Sequence, residues 1–151
     1  MRKGALAVLA LTATSPAHAV APAGFCQDLR LMIQSARDSP PFASVTRMLP
    51  RPELALFGNC LSNQVGFISA VSCTWHVSLG APAIKGLSVE ALAVATLHCL
   101  PGARRREDSA AASRGEAILL FEQFAITIGR DRSIPAMPGV GIRATVAIPE
   151  G

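Results

Sequence analysis

Cysteine and histidine are the residues in this chain with the widest range of chemistry, and they fall close together. Cys73 and His76 stand three apart, and His98 adjoins Cys99. A Cys-x-x-His set beside a His-Cys pair offers the thiolate and imidazole donors that zinc takes. The spacing argues against it, because neighbouring residues on a helix point about 100° apart and do not readily reach one ion. No metal and no cofactor is therefore expected. His76 is the candidate for acid–base catalysis, with Asp28, Glu90 or Asp108 as carboxylate partner and a serine as nucleophile. No G-x-S-x-G or H-E-x-x-H accompanies it. Its catalytic reading rests on residue type alone, and a solvent-facing strand histidine is the plainer one.

Three further features carry chemistry by type. Arg104-Arg105-Arg106 could grip a phosphate or an acidic surface, but Glu107-Asp108 follows at once and cancels two of the three charges. A solvated loop is the simpler reading. Trp75 and Phe67 share parity with Val71 and Cys73, which assigns them to the core and not to a ligand platform. The Gly/Pro-rich stretch 129–139 lacks the spacing of a phosphate-cradling loop.

The start of the chain has the pattern of an export signal. Arg2 and Lys3 precede the apolar run Gly4–Ala13, and Ala17-His18-Ala19 supplies a small-x-small cleavage pattern. The run is about half the ~20 residues that a membrane-spanning helix needs. Residues 1–19 are accordingly expected to be a signal peptide and 20–151 a single exported domain, periplasmic or secreted, with no membrane span. A lipid-anchored cysteine is disfavoured, since bulky Phe25 precedes Cys26. The expected domain carries 12 basic and 10 acidic residues. So near-neutral a balance, without a basic face, argues against a nucleic-acid partner.

Cys26, Cys60, Cys73 and Cys99 all lie in that domain, and an even count in an exported chain implies disulfides. Four cysteines admit three pairings. The expectation is Cys26–Cys60 with Cys73–Cys99, each tying a helix to the strand or loop next to it.

The elements that would position these residues follow from periodicity. Phe25, Leu29, Met32, Ile33 and Ala36 fall at helical spacing within 21–37, with Asp28, Arg30, Gln34 and Arg37 on the polar side. Pro40-Pro41 ends that helix. The segment 42–58 is expected to be irregular, with a short strand near 44–48. Period-two alternation over 63–78 predicts one long strand or two shorter ones bent near Ser69-Ala70. Ser88 caps a second helix over 89–100, ended by Pro101-Gly102. A polar loop is expected over 103–115 and a strand over 117–129, for which a helix from Glu116 is the alternative because both parities are apolar. Val140, Ile142, Ala144, Val146 and Ile148 mark a final strand.

The resulting order is α-β-β-α-β-β, an α+β fold with two helices on an antiparallel sheet and two disulfides. In function the chain is expected to be a non-enzymatic protein-binding module of the inhibitor, immunity or envelope-accessory kind. Its partner would be a cell-envelope protein, bound through a sheet face or the loops 103–115 and 129–139. The alternatives are a small hydrolase using His76 and a lipid- or glycan-binding domain. The oligomeric state is left open.

Overall fold

The computed structural model describes residues 23–46, 59–76, 88–131 and 141–148. Residues 44–46, where a short strand was expected near 44–48, are helical instead; the rest of that stretch, the expected signal segment 1–19 and most of the loop 129–139 lie outside the described residues. The described elements are α1 (Phe25–Ser35), α2 (Ala43–Thr46), β1 (Asn59–Val65), β2 (Ile68–His76), α3 (Val89–Cys99), β3 (Arg104–Arg106), α4 (Ser109–Ser113), β4 (Ala117–Phe121), β5 (Phe124–Asp131) and β6 (Gly141–Ile148). The six strands form one antiparallel sheet in the order β1-β2-β6-β5-β4-β3. The α+β class and the antiparallel sheet stand. The order α-β-β-α-β-β does not, because two short helices and the strand β3 interrupt it and the single strand expected over 117–129 is two, β4 and β5.

Helix α1 begins at Gly24, whose φ of 85° only glycine adopts without strain. Phe25, Leu29 and Met32 recur at i, i+4 and i+7 and are fully buried in the core. Asp28, expected on the polar side, is buried in the first turn, where the helix dipole favours a carboxylate. Helix α3 starts at Ser88, whose Oγ accepts a hydrogen bond from the Ala91 N–H at 3.0 Å. Its buried side carries Leu92, Ala93, Ala95, Thr96 and Cys99. The Thr96 hydroxyl donates to the Leu92 carbonyl at 2.8 Å, so its burial leaves no polar atom unpaired.

Between α1 and α2 the chain reverses at Phe42, whose φ is 66° although it is not glycine. Its ring is buried in the core, its N–H donates to the Ser35 carbonyl at 2.7 Å, and its carbonyl accepts from the Thr46 hydroxyl at 2.9 Å. Asp38 holds the start of α2, accepting from the Ser44 N–H at 2.7 Å and the Ser44 hydroxyl at 2.6 Å.

Two hairpins explain where the period-two reading went astray. Val65 pairs with Ile68 and Phe121 with Phe124, so Gly66-Phe67 and Glu122-Gln123 are two-residue turns. Across such a turn the face occupied by even-numbered residues passes to odd-numbered ones. Ala117 and Leu119 on β4 therefore join Phe124, Ile126 and Ile128 on β5 in one core face. That is why both parities of 117–128 looked apolar, and the segment is neither one strand nor a helix. The segment 63–78 likewise folds back at Gly66-Phe67 and not at Ser69-Ala70. Val71 and Cys73 on β2 and Ala144 and Val146 on β6 complete the buried face; α3 packs on β4 and β5, and Phe25, Leu29 and Met32 of α1 belong to the same core cluster.

The disulfides correct the expected pairing: Cys26 joins Cys99, and Cys60 joins Cys73. The first binds the start of α1 to the end of α3 across 73 residues of sequence. The second links directly opposed residues of the β1–β2 hairpin, 13 apart. In the chain-entropy account they stabilise the fold by about 4 and about 3 kcal/mol respectively.

Candidate functional site

The residues with metal-binding or catalytic chemistry are dispersed by the fold. Cys73 and Cys99 belong to different disulfides, so the thiolates of the zinc reading are consumed. His98 is exposed in the last turn of α3, where its position suits the negative end of the helix. His76 is the last residue of β2, paired in register with Gly141 of β6. The carboxylates considered as its partners are engaged on three different helices. Glu90 pairs with Arg105, Asp108 caps α4, and Asp28 sits under α1. Among the described residues no three His, Cys, Asp or Glu side chains gather into a metal site.

The arginine triplet is not a loop. It is β3, the short outermost strand at one edge of the sheet, paired with β4 over three residues. Arg105 forms an ion pair with Glu90 of α3, and Arg106 bonds Asp108 at 3.1 Å. The hydrogen bond from Arg105 holds the Glu90 carboxyl below its ordinary value and pushes the guanidinium up. Asp108 is lowered chiefly by the Ala111 N–H that it caps, and further by Arg106. These groups face solvent, so the pairs orient β3 and add little to stability.

The opposite edge of the sheet has the reverse character. β1 is seven residues long, and from Asn59 to His76 the hairpin contains no Asp, Glu, Lys, Arg or Pro. Natural edge strands are commonly guarded by charge, proline or shortness, and β1 has none of these three, although the short helix α2 packs against it. Leu61 is 74% exposed and Phe67, at the turn, 87%; Ile68 is exposed beside it. Phe67 was expected in the core on parity with Val71, but parity does not carry through a turn residue. The Trp75 side chain lies outside the described residues.

The backbone of β1 is oriented for pairing. Cys60 and Cys73 have Cα atoms 4.0 Å apart, the separation of a non-hydrogen-bonded pair in an antiparallel ladder. By the alternation of the ladder, Ser62 and Gln64 are of the same kind, and their N–H and C=O groups point away from β2 to the open side. Among the described residues no backbone hydrogen bond outside the hairpin reaches them. A cleft of about 420 Å³ runs beside this edge between the 40–46 segment and Ser62–Gln64, lined by hydroxyls, amides and proline rings without a charge.

A second concavity lies at the far end of the helix layer. It measures about 310 Å³, with Ile33, Leu100, Phe121 and Phe124 as apolar lining and Arg30, Arg37 and Glu122 among its polar groups. Arg30 is held by the Cys99 carbonyl at 3.1 Å. The positive charge of the two arginines meets Glu122 and the carbonyl ends of α1 and α3, so the cavity has little net field. Its chemistry suits a small amphiphile better than a plain anion.

Sequence reasoning passed over the β1 edge. The signal that could have found it was Gly66 within an uncharged stretch of alternating residues, a hairpin pattern. Among the described residues no helix is long and apolar enough to cross a membrane. No protein-family model, no curated protein and no solved structure matches the chain.

Proposed function

We propose that this chain is an exported protein-binding module that takes an extended segment of a partner protein onto the β1 edge. The observation that carries the reading is the contrast between the two ends of one sheet. One edge is three residues long and wholly arginine, and the other is seven residues long and uncharged. Strand addition draws affinity from main-chain hydrogen bonds and specificity from alternate side chains. On β1 those side chains are Leu61 and Asn63 on the outer face, with Phe67 at the tip of the hairpin. Two disulfides and the signal-like residues 1–19 support export to an oxidising compartment. This places the docking surface elsewhere than the loops 103–115 and 129–139.

Site-specific photo-crosslinking in cells that make the protein tests the reading. A photoreactive residue at position 61 or 63 should give adducts with one protein, several-fold above a control at exposed Arg114. Equal yields at the three positions would refute a docking role for β1. A second reading, a lipid-binding domain, is favoured by the cavity beside Arg30 and Phe124. Its signature is a co-purified amphiphile in a native mass spectrum.

A further inference from the structure

We propose that the partner seated on β1 is a second copy of this chain: two β1 strands pair antiparallel about a two-fold axis at Asn63, joining two six-stranded sheets into one of twelve. The inference rests on the reading of β1 as a docking edge and names its occupant.

Symmetry supplies the first argument. In a two-fold interface, residue i of one copy meets residue j of the other and j meets i, so a residue on the axis meets itself. A charge near the axis therefore faces its own sign. The arginine edge β3 cannot satisfy that condition, whereas β1 meets it along its whole length because it has no charge. The two edges of the sheet are thus sorted into one that resists self-pairing and one that permits it.

Register supplies the second. With the axis at Asn63, Ser62 lies opposite Gln64 of the other copy, Leu61 lies opposite position 65, and Asn63 lies opposite itself. The first pair sets a hydroxyl against an amide. The second sets an exposed leucine opposite a valine position. The third joins two amides, each with a donor and an acceptor to offer the other. Ser62 and Gln64 also carry the outward backbone groups, so they form the hydrogen-bonded rungs on either side of a close, non-hydrogen-bonded Asn63 pair. The backbone ladder admits an axis on any residue of β1, and we place it at Asn63 for the amide pair that this creates. The open cleft beside Ser62–Gln64 leaves room along the core-side flank of the edge.

With the axis at Asn63 only five residues of each strand, 61–65, pair and bury a modest area, so the dimer belongs to the weak class and should be sought at about 100 µM protein. The experiment is sedimentation equilibrium of the oxidised full chain at that concentration, with Asn63→Lys and Asn63→Asp as variants. Asn63 is exposed, and circular dichroism serves as the check that both variants keep the fold. The wild type should sediment as a dimer. Each variant alone should dissociate at least tenfold more readily, because like charges meet on the axis. An equimolar mixture of the two should recover the dimer through a Lys–Asp pair. A monomeric wild type would overturn self-pairing, as would an Asn63→Lys protein that dimerises as well as wild type. If the wild type is monomeric while crosslinks at positions 61 and 63 capture a different protein, the docking edge survives and only its occupant changes. Absence of both results removes the edge reading itself.

Discussion

Phe42 shows how much a single side chain can impose on its own backbone. A left-handed φ in a residue other than glycine costs on the order of 1–2 kcal/mol. Here that cost is offset by a ring that is fully buried and by hydrogen bonds at both its N–H and its carbonyl. Truncation separates the two contributions. Phe42→Ala should lower stability by about 3–5 kcal/mol, the usual loss for a buried phenylalanine. Phe42→Gly loses the same ring but relieves the dihedral, so it should be no less stable than Phe42→Ala, against the usual ranking of the two residues. Urea denaturation of both variants checks this, and a glycine variant clearly weaker than the alanine one would mean that the dihedral stores no strain. Nothing in the sequence announced the position, since Pro40-Pro41 signalled a stop but not the inward turn of the next residue.

At the scale of elements, the readable parts were those whose pattern is complete within one segment. Helix α1 shows in Phe25, Leu29 and Met32, α3 in its serine cap and terminal Pro-Gly, and β6 in clean alternation from Ala144 to Ile148. The hairpins were harder because a two-residue turn reverses parity, and neither Gly66-Phe67 nor Glu122-Gln123 contains the Asn-Gly signal of such turns. Missing the first turn also concealed the Cys60–Cys73 pair, which is directly opposed once Val65 meets Ile68. It misplaced Phe67 as well, and with it the uncharged edge on which the functional proposal stands. β3 and α4 escaped because three arginines and a short Ser-Ala run carry no periodicity. Their positions depend on pairing with β4 and on the Asp108 cap. The β4–β5 turn offers a direct check, because Glu122 adopts a φ of 52° and is solvent-exposed. Glu122→Gly should raise stability by about 1 kcal/mol, read as a shift of the urea midpoint at constant slope. A loss of stability would show that Glu122 holds the turn through its side chain.

For the molecule as a whole, the decisive property is lateral asymmetry: charge collects at the β3 edge and is absent from the β1 edge. Self-association through β1 should therefore be almost indifferent to ionic strength. The dimer constant should stay within about twofold between roughly 50 and 500 mM salt, a range over which contacts between exposed charges are strongly screened. A steep salt dependence in sedimentation would point to the arginine edge instead. The disulfide connectivity has a further consequence, one of history and not of geometry. The Cys26–Cys99 bridge encloses Cys60–Cys73, so the two pairs are nested and not consecutive. A chain made from its amino end presents Cys26 and Cys60 to an oxidant before either native partner has been made, and the first encounter available is a mismatched one. The hairpin must then close early enough to claim Cys60 for Cys73, or the mismatch must be undone by exchange. Early closure of the small turn at Gly66-Phe67 would leave Cys26 free for the last cysteine without any exchange.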